Sequence, residues 1–298
     1  MVCLKEGQRQ SGPEEETYRD DLERLGTGTF GITEWMRWTE RTLKKLSKEE
    51  QQSFSSAVKA CARHEDCFEY NVSRIKAVGN PVAYFPATHS SKTAGSIIFE
   101  KLYDLPRSLL LCKGATFRLT WNLYTAAGLT NGAQGTVHSI IYAPGSAPPD
   151  MPLAVIAVFD KYLGKPYLPD VPKSVVIVPV QRAIEVKGKT HVRTALPMKL
   201  AYALTVHSLQ GATLDKAVLN AGPREFSPGL LLVGASRTKK FENLAFDPEL
   251  SYKRVQSCWN NVLFEERRRE EQKMLESHDR TIVKNHEVLV QFREKFDR

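Results

Sequence analysis

Two segments of this sequence carry side chains whose types and spacing could act on phosphate. The first runs from Pro197 to Asp215 and gathers Thr205, His207 and Gln210 just before Gly211. Read as an apolar helix, it presents the three polar groups together near its end, with Gly211 as a left-handed cap. Such a cluster can hydrogen-bond phosphate oxygens. The second segment, Ser227 to Thr238, opens on a Ser-Pro helix start and holds one arginine, Arg237, near the end of an otherwise apolar helix. An arginine delivered to a rim on a rigid element is the means by which a γ-phosphate is clamped during transfer. From spacing alone the plainer alternatives stay open: Gln210 only caps its helix, and Arg237 only pairs with an acidic neighbour.

Other chemistries lack an anchor. G-x-x-x-x-G-K-[ST], whose backbone amides cradle phosphates, is absent, and so are G-x-S-x-G and H-E-x-x-H. Gly26-Thr27-Gly28-Thr29-Phe30-Gly31 matches a phosphate loop only in part, without lysine or a preceding strand, and reads as a loop between helices. Cys61, His64 and Cys67 stand at metal-ligand spacing along one expected helix, but no second ligand pair follows and they read as packing or solvent-facing groups; no metal site is expected. The five cysteines are odd in number and never spaced C-x-x-C, which points to reduced thiols inside a cell.

Composition sets the frame for these groups. The 298 residues are 42% hydrophobic and 26% charged, proportions of a folded protein long enough for two domains or one with a large insertion. No apolar run approaches the ~20 residues of a membrane span, so no membrane partner is expected. The net charge is +8, and residues 61–252 carry 21 basic against 14 acidic side chains, a balance that fits a phosphate-bearing partner.

The elements that must position the two segments follow. Residues 14–62 read as helices, with Trp35 and Trp38 on one core-facing side, Thr33 as a cap, and a Ser47-Lys48-Glu49-Glu50 capping box opening a helix to about Cys61. A helix from Phe68 to Val78 stops at Gly79-Asn80-Pro81, before an extended 82–85 stretch. Five β-rich runs then follow (115–120, 136–142, 153–159, 175–180, 183–186), which predicts a small, bent antiparallel barrel inserted in a larger α/β unit. The last 46 residues, centred on Glu265-Glu266-Arg267-Arg268-Arg269-Glu270-Glu271, read as a solvated helix laced with ion pairs. The domain expectation is 1–112, a helical segment with the first part of the α/β lobe; 113–196, the barrel; 197–252, the rest of the lobe; and 253–298, the charged tail.

Against that background, the run from Leu196 to Asp215, LPMKLAYALTVHSLQGATLD, resembles the fifth motif of the petite-integration-frequency DNA helicases, the RecD-like branch of superfamily one, including versions encoded by rolling-circle transposons. Val233-Gly234-Ala235-Ser236-Arg237 is similar to their sixth motif, and Leu4 to Gln10 resembles their fourth, L-x-x-x-x-R-Q. Gly114 to Leu123 and Gly128 to Gly135 are similar to the entry into their inserted barrel. The resemblance implies an α/β, RecA-like second lobe with an inserted Src-homology-like barrel. It further implies that Arg9 and Arg237 reach the γ-phosphate, that Gln210, Gly211 and Ser236 line the nucleotide, and that Thr205 and His207 touch the tracked single-stranded DNA. ATP and Mg2+ would be bound only beside a first RecA-like lobe, which this chain lacks, so alone it should neither hydrolyse ATP nor unwind duplex. The implied function is the C-terminal part of an ATP-dependent 5′-to-3′ helicase of the repair, recombination or telomere-maintenance type, intracellular and nuclear or mitochondrial. The rivals are a non-catalytic, single-strand-binding or regulatory module and a non-functional remnant. Two departures stand out: the family pattern H-K-S-Q-G lacks its lysine here, where Ser208 stands, and Gly234-Ala235 is smaller than the usual Ala-Leu, which should loosen the seat of Arg237.

Overall fold

A short β-branched or apolar run buried on both sides can satisfy its backbone only by pairing with neighbours, and four such runs build the first sheet. A computed structural model describes residues 10, 12–92, 95, 105–186, 188–223, 227, 229–260 and 262–296, with side chains to residue 280 apart from 278. The chain divides into two units, Met1–His64 with Leu204–Arg298, and Glu65–Ala203. The expected barrel, 113–196, falls inside the second.

The sheet of the first unit, among the described residues, has the order β12 (Ala203–Thr205), β1 (Val58–Cys61), β13 (Ala217–Asn220), β14 (Leu244–Phe246). β1, β13 and β14 are parallel, from Val58↔Ala217 to Cys61↔Asn220 and from Ala217↔Leu244 to Leu219↔Phe246. Near-continuous burial along these strands is what a doubly covered parallel sheet requires. Helices α1 (Glu16–Thr27), α2 (Ile32–Thr39), α3 (Lys48–Ser53), α5 (Leu230–Ala235), α6 (Tyr252–Gln256) and α7 (Val262–Phe296) belong to the same unit, while α4 (His64–Ala77) starts at the boundary. Trp38 is fully buried in the core, stacked on Phe246 at 5.7 Å and edge-on to Phe30 at 4.9 Å. Its indole N–H donates to the buried Asp21 carboxylate at 2.7 Å. The tryptophan pair therefore packs as expected, with Trp35 half-buried and donating to Leu250 O at 2.7 Å. The tail forms the long α7, whose exposed face carries the pairs Arg267–Glu271 and Lys273–Glu270, each at 2.7 Å.

The second unit holds a five-stranded antiparallel sheet, β11 (Met198–Leu200), β5 (Thr116–Leu119), β6 (Gln134–Ile141), β7 (Ala154–Val158), β8 (Ser174–Ile177). A further sheet has the order β3 (Thr88–His89), β10 (Lys189–Ala195), β9 (Val180–Val186), and β2 (Ala83–Pro86) pairs with β4 (Ser108–Leu111). Phe117, Leu119, Val155, Phe159 and Ile177 fill the core of this unit. The described cysteines Cys61, Cys67, Cys112 and Cys258 are buried, and burial pushes the Cys112 thiol up from its ordinary value.

Several expectations are corrected. The helix opened by Ser47 ends at Ser53, and the chain turns through Phe54 to Ala57 before β1, because Val58–Cys61 pairs with β13. Its capping box is present, with Glu50 N donating to Ser47 Oγ at 3.2 Å. Thr33 lies inside α2; the cap is Gly31, whose N–H the Glu34 carboxylate accepts at 2.8 Å. Cys61 sits on β1 and only His64 and Cys67 lie on α4, so the three do not share a helix. The expected run 183–186 belongs to a longer strand, Val180–Val186, which pairs with β10, a strand not anticipated. The run before Gly211 is not a helix. It forms β11, β12 and a short 3-10 turn, His207–Leu209. Periodicity cannot separate a short strand buried on both sides from a buried helix, and sheet pairing settled the matter.

Candidate functional site

Backbone hydrogen-bonding needs fix the turn that carries the first segment. β12 ends at the buried Thr205, whose hydroxyl accepts from Ser208 N at 3.4 Å while Ser208 Oγ donates back to Thr205 O at 2.8 Å. Val206 and Leu209 are buried beneath the turn, leaving His207, Ser208, Gln210 and Gly211 exposed. Gly211 has φ +84°, a conformation that costs a side-chain-bearing residue ~1–2 kcal/mol. Gly211 is left-handed as expected, although it closes a strand-following turn rather than a helix. Among the described residues the Gln210 amide makes no hydrogen bond.

The second segment docks on this turn. α5 begins at Leu230, after Gly229, and Pro228 lies outside the described residues. Arg237 follows the end of α5 and is only 7% exposed. Its Nε donates to Val233 O at 2.7 Å, Nη2 to Ser236 Oγ at 2.8 Å, and Nη1 to Leu209 O at 3.3 Å and Ala212 O at 3.4 Å. These acceptors are neutral dipoles, and two of them belong to the turn around Gln210 and Gly211. Leu214 N donates to Arg237 O at 2.9 Å, so backbone and side chain both join the two segments. A Cβ on Gly234 would come within 2.7 Å of Leu219 Cδ1. The smaller residue is thus matched by a larger one beneath it.

A third strip of chain meets the same place. Gln10, 7% exposed, donates from Nε2 to Thr238 O at 2.7 Å and Ser236 O at 3.3 Å. Tyr18 Oη donates to Ala235 O at 2.5 Å and lies 3.1 Å from Thr238 Oγ1. Arg19 donates to the carbonyls of Gln10 and Gly12, both at 2.8 Å, and so ties the strip to α1. Arg9 itself lies outside the described residues. Ser236, Arg237 and the backbone about Gln210 and Gly211 are therefore brought together, while Thr205 turns its hydroxyl into its own turn and His207 faces solvent. Gln10 ends the L-x-x-x-x-R-Q stretch, but nothing in that pattern names its partner, and no local pattern marks Tyr18; the partners of both are more than 200 positions away.

The remaining glycine-rich stretch is no phosphate cradle. Gly28 caps α1, its N–H and those of Thr29 and Phe30 all donating to Arg24 O, so these amides are already engaged. Among the described residues no three His, Cys, Asp or Glu side chains gather to hold a metal, and no helix is long and apolar enough to cross a membrane.

Comparisons with known proteins complete the site. No protein-family model matches the chain. It is 28% identical over 226 residues to the ATP-dependent DNA helicase PIF1 of Danio rerio, covering 74% of this chain and 32% of that protein. It is 30% identical over 190 residues to the ATP-dependent DNA helicase PIF6 of Trypanosoma brucei brucei, covering 63% and 22%. The chain thus spans about a third or less of the curated relatives it matches. Among solved structures, Pif1 helicase from Candida albicans superposes with a TM-score of 0.69 at 20% identity, covering 92% of this chain and 60% of that one. Pif1 helicase from Bacteroides, in complex with ADP-AlF3 and single-stranded DNA, gives 0.63 at 17%, covering 91% and 57%. Sequence and α/β fold together make this chain a relative of the Pif1-like, superfamily-one helicases.

Proposed function

We propose that this chain supplies the second RecA-like lobe of an ATP-dependent 5′-to-3′ DNA helicase, completing from across a cleft an ATP site whose phosphate loop and magnesium ligands another polypeptide segment holds. One observation carries the reading: Gln10, the turn at Leu209–Ala212 and the segment Ser236–Thr238, described parts of the three motif-like stretches, are joined by hydrogen bonds into one edge. An arginine held by backbone dipoles is pre-organised, and electrostatic stabilisation of a transferring phosphoryl group depends on such pre-set donors. Arg237, with Arg9, would take that role; Ser236 orients the guanidinium, and Gln210 and Gly211 line the nucleotide. When bound, ATP supplies the transferable phosphoryl group, and Mg2+ would neutralise its oxygens. The residues described offer no ligand set for the ion. Thr205, through its turn, and His207 would touch single-stranded DNA, tracked as the lobes close. This reading sets the protein in the nucleus or mitochondrion.

The test adds a first lobe in trans and measures DNA-stimulated ATP hydrolysis. A rate that Arg237→Ala abolishes supports the motor. No rate with the unsubstituted chain, together with retained, salt-sensitive binding to single strands, transfers the support to a non-catalytic binding module.

A further inference from the structure

The sheet edge that carries His207 also carries a cation to which nothing above gives a role. β1 leaves the sheet through Ala62 and Arg63. Val206 N donates to Cys61 O at 2.9 Å, and Ala62 N donates to Asn220 O at 3.1 Å, so the chain ends of β12, β1 and β13 lie side by side. β1 and β13 run parallel, which makes this the carboxyl rim of the sheet, where open parallel sheets receive their ligands. Ala62 and Val206 are buried and pin the backbone, whereas Arg63, His207 and Ser208 are exposed.

The neighbouring position 208 bears on what Arg63 does. Where the fifth-motif pattern carries lysine, this chain has Ser208, whose hydroxyl is spent on Thr205 O at 2.8 Å inside the turn. The rim therefore needs its permanent positive charge from another element if a nucleic-acid backbone is to be held there. A guanidinium stays charged at every physiological pH and forks onto phosphate oxygens. We propose that Arg63 is a phosphate contact for single-stranded DNA on this rim, supplying from β1 the charge missing at position 208. The inference rests on the reading of His207 as a strand contact.

Fluorescence anisotropy of the full chain with a labelled oligothymidylate, repeated over a salt series, tests it. Arg63→Ala should weaken binding about tenfold, the scale of one charge-assisted hydrogen bond. It should also make the slope of log affinity against log salt shallower by about 0.7, the value for one single-strand phosphate contact. Adding Ser208→Lys to Arg63→Ala should restore both, while Lys44→Ala, at an exposed cation of the same unit, should change neither. Circular dichroism melts confirm that the variants fold. Should Arg63→Ala match the unsubstituted chain while His207→Ala weakens binding, the inference is overturned and the proposed function stands. Weakening by Arg63→Ala that Ser208→Lys does not rescue overturns the exchange of charge between the two positions. An unsubstituted chain that does not retain the oligonucleotide at all overturns the inference together with the strand-binding part of the function.

Discussion

The side-chain amide of Gln10 donates to the carbonyl of Thr238 at 2.7 Å, across 228 positions of sequence. Both groups are buried, so each is costly to leave unsatisfied. The contact ties the backbone immediately after Arg237 to Gln10. Gln10→Ala should destabilise the chain by ~1–3 kcal/mol, the cost of orphaning a buried carbonyl. Urea denaturation gives the magnitude, and hydrogen exchange should show faster opening at 236–238; equal midpoints for the two proteins would contradict it.

Tyr18 holds the same segment from the other side. Its ring packs against Phe241 at 5.3 Å and Trp38 at 6.4 Å, while its hydroxyl reaches Ala235 O and Thr238 Oγ1. Tyr18→Phe keeps the ring and deletes the hydroxyl, so the loss should be ~1 kcal/mol. Tyr18→Ala should cost ~3–5 kcal/mol, because a buried aromatic volume is emptied. Near-equal losses for the two variants would assign the stability to the hydroxyl alone.

Gly234 is required by close approach rather than by backbone conformation. The Cβ of Gly234→Ala would meet Leu219 Cδ1 at 2.7 Å, deep in the sheet core. Overpacking of this kind should cost ~1–3 kcal/mol. Because the clash is pairwise, Leu219→Val should recover part of the loss in the double variant, and the two substitutions should not add. Strict additivity in denaturant melts would locate the cost elsewhere.

Glu50 links pH to stability at the start of α3. The Arg41 guanidinium, 2.9 Å away, and the Ser47 backbone N–H hold its carboxyl below the ordinary carboxylate value. A depressed folded value means that the contribution is fully present above the unfolded pKa of about 4.3 and is lost as pH falls through the folded value. The stability gap between the unsubstituted chain and Glu50→Gln should therefore be constant above about pH 5 and close as acid is added. A gap that widens in acid would reverse the assignment.

What the sequence determines here is local. Ser47 and Glu50 are three positions apart, so their reciprocal hydrogen bonds are legible without knowing the fold, and so is the ion-paired face of the tail. The tryptophans at helical spacing fall inward for the same reason. The order of motif-like stretches, and with it the relationship to Pif1-like helicases, is also linear information. Tertiary structure decided the rest. Whether Leu200 to Thr205 is helix or strand depends on which neighbours satisfy its amides, and Val206 finds Cys61 O, 145 positions away in the chain, which no periodicity records. The seat of Arg237 was equally hidden: among the described residues its guanidinium meets carbonyls at Leu209 and Ala212, presented by a turn in another segment. Non-local hydrogen bonds are settled only when the buried core forms, because burial is what makes leaving those groups unpaired too costly.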